Sequence, residues 1–200
     1  MTTQVTGSGV NFNGSTSGTI LLTQPAVAGS NTITLPAETG TLRTNVSSGS
    51  VLQTVIYQTG ALATGSTQIP TDDTIPQITE GVEFMTLAIT PKSATSKLRI
   101  QARLFGCTNS GAGSATGALF RDSGADALAA DMFTFTSTGY LFPLTIDYTM
   151  DSPGTSSTTF RVRAGPNTAI AYVFNGSSSG VNRYFGGVAN SYIKITEYVP

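Results

Sequence analysis

The stretch from Ile69 to Phe105, IPTDDTIPQITEGVEFMTLAITPKSATSKLRIQARLF, constrains the fold more than any other part of the chain. Two Ile-Pro steps, Ile69-Pro70 and Ile75-Pro76, bracket the polar turn Thr71-Asp72-Asp73-Thr74. Each proline fixes its own φ and holds the isoleucine before it extended, so neither a helix nor a long central strand passes through. Val82 to Thr90 reads as a strand that is apolar on both faces and is therefore expected to be buried. After the turn Thr90 to Thr95, the run Lys97 to Phe105 alternates. Leu98, Ile100, Ala102 and Leu104 point one way, and Lys97, Arg99, Gln101 and Arg103 the other. A period of two is the signature of a half-buried strand and is useless to a helix.

Further strands follow from the same reasoning. Val51 to Thr59 is β-branched and aromatic, and Ala61 to Gly65 breaks it. Gly106 to Gly117, small and polar, reads as a wide loop, followed by a short strand at Ala118 to Asp122 and another that ends at Phe135. Leu144 to Met150 alternates and Asp151-Ser152-Pro153-Gly154 reverses the chain, after which Phe160, Val162 and Ala164 face inward. Ala169 to Phe174 reads as a fully buried strand, Asn175 to Asn190 as a Gly/Ser loop, and Tyr192 to Val199 as the closing strand. Seven or eight short strands at intervals of roughly 10–15 residues, with no sustained helical period, predict an all-β sandwich or barrel.

Residues 1–48 differ in kind. They are rich in Ser, Thr and Gly and carry only Glu38 and Arg43 as charges. Two short β-like runs, Gly18 to Pro25 and Asn31 to Pro36, each end in proline. Such a segment buries too little apolar surface to offset an ordering cost of about 1–2 kcal/mol per residue, so its order requires sister chains or another protein. The expected organisation is an extended attachment segment over 1–48 and an antiparallel β-sandwich over 49–200.

Charged residues make up 10% of the 200, and the formal net charge is -1. That balance argues against nucleic acid as a partner, which needs clustered Lys and Arg. The longest apolar run, Ala169 to Phe174, falls far short of the roughly 20 residues that cross a bilayer, so no membrane insertion is expected. No signal peptide is visible at MTTQVTGSG. A single cysteine, Cys107, leaves no intrachain disulfide, which fits folding and assembly in a reducing cytosol.

The wording NTITLPAETGTL (Asn31 to Leu42), Gly49-Ser-Val-Leu-Gln and the long Ile69 to Ile100 motif resembles bacteriophage tail-fibre and fibre-like virion appendage proteins. The similarity spans about residues 18–105 and continues more weakly to Ile193-Lys194-Ile195-Thr196-Glu197. The resemblance implies a homotrimeric structural protein of the phage particle, assembled in the host cytoplasm. It would dock on tail, baseplate or capsid proteins through residues 1–48 and carry a β-sandwich or jelly-roll knob, with host-surface binding as a function. Two hundred residues leave no room for a long shaft, so the fibre would be short. A capsid, collar or baseplate decoration without a receptor role, and a monomeric carbohydrate-binding module, are the competing readings.

Candidate sites are few. Asp72, Asp73, Glu80 and Glu83 could supply oxygen ligands to calcium, but without EF-hand spacing a capped turn is the better reading, and no metal or other cofactor is expected. Asp122 and Asp126 flank a glycine turn. Arg99, Arg103, Arg161 and Arg163 lie on expected outward faces, where they could grip anionic host sugars or pair with acids across a subunit boundary; the second is preferred. Tyr140, Arg183, Tyr184 and Phe185 fall in expected loops, able to stack on a host glycan or plug a neighbouring subunit. Cys107 is expected to be buried and inert. With no histidine, and with its acids mainly in turns, the chain lacks the usual acid–base machinery and is not expected to be an enzyme.

Overall fold

A computed structural model of the chain describes residues 10–13, 19–22 and 47–200. The chain divides into two units, Met1–Thr44 and Asn45–Pro200. In the first, β1 (Val10–Asn13) and β2 (Thr19–Leu22) pair antiparallel, with Val10 opposite Leu22. The β-like run at Gly18 thus contains a strand, whereas the run Asn31 to Pro36, and most of the expected attachment segment, lie outside the described residues.

The second unit is all β, in antiparallel sheets that form a sandwich. Its strands are β3 (Val51–Thr59), β4 (Ala63–Gly65), β5 (Val82–Ile89), β6 (Lys97–Thr108), β7 (Gly113–Arg121), β8 (Ala129–Phe135), β9 (Phe142–Asp151), β10 (Thr158–Pro166), β11 (Tyr172–Phe174) and β12 (Ser191–Tyr198). One sheet runs β5-β10-β7-β8; the other runs β3-β12-β6, with β9 on the far edge of β6. Gly106 of β6 pairs with Phe142 of β9 on one side and Phe174 of β11 on the other, so β11 and β4 extend the β12 side of the sheet at one end. Numbering the eight long strands in chain order gives 2-7-4-5 for β5-β10-β7-β8 and 1-8-3-6 for β3-β12-β6-β9, which is the jelly-roll order.

The alternating strands fall as their pattern dictates. Leu98, Ile100, Ala102 and Leu104 of β6, Leu144 and Ile146 of β9, Phe160, Val162 and Ala164 of β10, and Ile193 and Ile195 of β12 meet between the sheets. Phe142 stacks on Phe133 and Phe135, and Phe84 on Phe174, closing the core towards one end. Burying side chains of this size stabilises a fold by about 1.5–3 kcal/mol each before entropy is counted.

Several expectations need correction. Gly106 to Gly117 is not a wide loop: β6 continues to Thr108 and β7 begins at Gly113, with only residues 109–112 between. The small residues of β7 are there because the strand is covered on both sides. Ala115 and Leu119 face the core, Gly117 lies against Leu104 and Leu144, and Ala118 and Phe120 pack under Ile69 and Ile78. Val82–Ile89 is only partly buried, because β5 is an edge strand. In the segment Ala169 to Phe174 only Tyr172–Phe174 is strand, and Ala169 is exposed. The break Ala61 to Gly65 itself contains β4.

The Ile-Pro segment crosses the outer face of the β5-β10-β7-β8 sheet. Ile69 N donates to Pro166 O (3.0 Å), Ile78 N to Ala125 O (2.7 Å) and Ala127 N to Pro76 O (2.9 Å), while Ile69 itself is fully buried. Gly81, in left-handed backbone at φ 61°, brings the chain back against Gln68 O and into β5.

Candidate functional site

Strand directions sort the connections into two groups. The turns β5–β6, β7–β8 and β9–β10 gather at one end of the sandwich, together with Ser47–Ser50 and Val199, where Gly49 N donates to Val199 O (2.8 Å). Residues 60–62, 109–112, 136–141 and 175–190 gather at the other. The four loop residues expected from sequence, Tyr140, Arg183, Tyr184 and Phe185, all lie at this second end.

Asn175 anchors the long loop. It sits just after β11 at φ 56°, a left-handed conformation that asparagine tolerates better than most residues. Its Nδ2 donates to Thr59 O (2.9 Å) and Ala61 O (3.1 Å), and its Oδ1 accepts from Ser191 Oγ (2.7 Å). One buried side chain thereby ties the ends of β3, β11 and β12 together. Gly60 completes the join, since a Cβ there would stand 1.9 Å from Gly187 O.

From that anchor the loop turns at Ser177–Gly180 and then makes a single 3-10 turn over Tyr184–Gly187. Tyr184 meets Phe105 edge-on, with ring centroids 6.3 Å apart, and the Arg103 guanidinium lies 5.3 Å from the Phe105 ring centre. Phe185 has no such cover. It is 78% exposed and sits at φ 48°, unusual for a bulky side chain. Val181 and Val188 in the same loop are 71% and 76% exposed, and Tyr140 and Leu141 of the β8–β9 connection are also exposed. Sequence reasoning missed Val181 and Val188; the available signal was isolated valines in an otherwise Gly/Ser-rich run. A depression of about 560 Å³ lies among Ala61, Leu62, Val181, Asn182, Arg183 and Gly186. The arrangement offers aromatic and apolar contact surface bordered by one guanidinium.

The other candidates have partners within the chain. Arg99 forms a bidentate pair with Asp147, which raises the guanidinium pKa and lowers that of the carboxylate. Arg161 reaches Glu83 (3.1 Å), and Arg163 donates to Glu80 O and Gly81 O (2.8 Å each), fixing the end of the crossing segment. Arg103, besides lying over Phe105, donates to Asn190 O (3.4 Å). Thus Arg99 and Arg103 share the outer face of one sheet, and Arg161 and Arg163 that of the other.

Asp72 caps its own turn through Thr74 N (2.9 Å), and the bonds from Thr74 lower its pKa. Glu80 accepts from Gln77 N, Asp126 from Gln77 Nε2, and Asp122 from Thr158 Oγ1 and Thr159 N. Among the described residues no three His, Cys, Asp or Glu side chains converge as metal ligands would. Cys107 is buried and desolvation pushes its thiol up to about 11, so it holds little nucleophilic thiolate at neutral pH.

No family profile and no curated protein matches the chain. Among solved structures it is similar to the Eiger TNF of S. frugiperda, at 10% identity over 72% of this chain and 92% of that one, with a TM-score of 0.41. The infectious bursal disease virus Gx strain gives 14% identity over 92% of this chain and 48% of that one, with a TM-score of 0.38. The CBM36-1 domain of a multidomain xylanase from the hindgut metagenome of Trinervitermes trinervoides gives 14% over 72% and 96%, with a TM-score of 0.32. Similarity at this level does not bear on function.

Proposed function

We propose that the chain is a non-catalytic structural protein of a bacteriophage particle: a short homotrimeric fibre that docks through residues 1–48 and presents its sandwich towards the host surface. The observation that carries this reading is the polarity of the sandwich. The chain joins it at Ser47, beside Val199, while Tyr140, Arg183, Tyr184 and Phe185 crown the opposite end. A protein tethered at one end has its far end free for contact, and loops on a rigid scaffold are where binding is usually placed. The resemblance of Asn31 to Leu42 and Ile69 to Ile100 to fibre-like appendage proteins supplies the particle, and three copies of a weak contact supply avidity. Exposed aromatic rings suit stacking on a glycan, with Arg183 placed for an anionic sugar.

Two variants test the two ends separately. Deleting residues 1–48 should leave a folded sandwich that no longer enters particles. Replacing Tyr140 and Phe185 together by Ser should leave incorporation intact and lower adsorption to host cells by roughly 10-fold or more, as loss of two central aromatic contacts would. Normal incorporation of the truncated chain, or unchanged adsorption of the double variant, contradicts the assignment of that end.

A further inference from the structure

Every arginine of the sandwich but one is engaged within the chain. Arg99 pairs with Asp147, Arg121 with Asp122 (3.7 Å) and Arg161 with Glu83. Arg163 donates to Glu80 O and Gly81 O, and Arg103 to Asn190 O while lying over the Phe105 ring. Arg183 alone among the described arginines makes no side-chain hydrogen bond or ion pair there. Nothing in the loops around it neutralises it either. Residues 60–62, 109–112, 136–141 and 175–190 contain no Asp or Glu, and Arg183 is their one charged side chain. We infer that the depression beside Arg183 is a binding site for a sugar acid, a carboxylate-bearing residue of a surface glycan; the inference rests on the proposed reading of this end as the host-facing one.

The backbone holds Arg183 in place. It forms an antiparallel bridge with Gly176, the residue after the Asn175 anchor, and next to it Asn182 O accepts from Ser177 N (2.9 Å). The Arg183 side chain lies against Gly187, where an added Cβ would stand 3.1 Å from Nη1. Gly187 is itself at φ 98°, which other residues rarely adopt. The depression of about 560 Å³ that Arg183 lines is of the size of small-ligand clefts, about 300–1,000 Å³. Ala61, Leu62 and Val181 give it apolar wall, and Asn182 adds an amide that both donates and accepts. A sugar acid matches each part: its carboxylate the guanidinium, its hydroxyls the amide, and its C–H face the wall or the exposed Phe185 ring.

The charge of the site selects among anions. A carboxylate is planar, carries a single negative charge and accepts two parallel N–H bonds from one guanidinium. A phosphate monoester carries a charge of about −1.5 to −2 at neutral pH, so one arginine leaves it incompletely neutralised. The surrounding loops supply no second cation for it, nor the run of cations that a polyphosphorylated or polysulfated chain requires. Without a nearby acid, a guanidinium in this setting has no internal competitor to displace before it takes up a ligand.

The test measures binding of the full chain to immobilised oligosaccharides that end in glucuronate, galacturonate or N-acetylneuraminate, to the methyl esters of the same sugars, and to glucose 6-phosphate. At least one of the acids should bind, more weakly as salt rises, and its ester, alike in shape but uncharged, should bind ~10-fold or more weakly. Arg183→Gln should weaken binding of that acid by roughly 10-fold or more and still melt like the wild type, because the guanidinium has no partner in the chain to lose. Arg183→Lys keeps the charge but not the fork and should recover only part of the binding. Arg121→Gln makes the same charge change at the other end of the sandwich and should bind as the wild type does. Equal binding of acid and ester, tighter binding of the phosphate, acid binding that survives Arg183→Gln, or no binding of any sugar overturns the site. If adsorption to host cells still falls in the Tyr140 and Phe185 double variant, the host-facing end stands and only the sugar acid is lost.

Discussion

Replacing Ile100 by Asp should abolish folding of the sandwich. Ile100 is fully buried in the middle of β6, opposite Ile195 on one side and Tyr148 on the other. A carboxylate there has no donor within the core, and burying an unpaired charge costs several kcal/mol even after relaxation. A domain of this kind has a total stability of about 5–15 kcal/mol, so this one change removes most of it. Circular dichroism should show no cooperative melt. Gln101→Lys, one residue along and on the outer side, should melt like the wild type. Equal melting of the Ile100→Asp chain would refute the register of β6.

The second large effect belongs to Glu197, a carboxylate with no exposed surface at all. It accepts from Lys92 N (2.9 Å), Ser93 N (3.0 Å), Ser96 Oγ (2.7 Å) and Gln53 Nε2 (2.6 Å), and so ties the β5–β6 turn to β12 and β3. Burial by itself would raise its pKa, but the bonds from Lys92 N, Ser96, Gln53 and Ser93 N outweigh burial and hold it below the ordinary value. A folded-state pKa that is depressed contributes stability above the unfolded value of about 4.3 and loses it as pH falls through the folded value. Glu197→Ala strands Lys92 N and Ser93 N, while Gln53 Nε2 and Ser96 Oγ keep Thr90 O and Ser93 O as acceptors, and should cost about 3–5 kcal/mol. Glu197→Gln, which turns an amide N–H towards other N–H groups, should cost about 2–4 kcal/mol at pH 7. Its penalty relative to wild type should shrink as pH falls below the unfolded value of about 4.3 and on through the depressed folded value, where the native carboxyl becomes protonated. A constant penalty between pH 7 and pH 3 would contradict the account of this site.

These two residues also mark how far the sequence is legible. Ile100 belongs to a clean period-two run, and β6, β9, β10 and β12, each half-buried and alternating, can all be read that way. Glu197 occupies the same inward phase as Ile193 and Ile195, and nothing local reveals that its partners come from a turn about a hundred residues earlier. The strand β7 is hidden for a different reason. Alternation is the mark of one wet face, and β7 has none, because residues 69–81 cover the side that would otherwise face water. The Ile-Pro steps announce a bend at Ile69, but not the sheet face over which that bend lies.

At the candidate site, loops rich in Gly and Ser located Tyr140, Arg183, Tyr184 and Phe185 at once. Their common end is a property of strand order, which sequence spacing does not specify. The arginines show the same limit. Their outward phase is visible in the alternation, but whether each meets an acid within its own chain depends on cross-strand register, as in Arg99 with Asp147 and Arg161 with Glu83.

The claim that the chain is a fibre of the phage particle is tested most directly by labelled electron microscopy of purified particles, using an antibody raised against residues 49–200. The expected result is label on a short appendage that projects from the particle, in multiples of three copies by quantitative mass measurement. Particles that carry no label, from a lysate in which the protein is abundant, would contradict it.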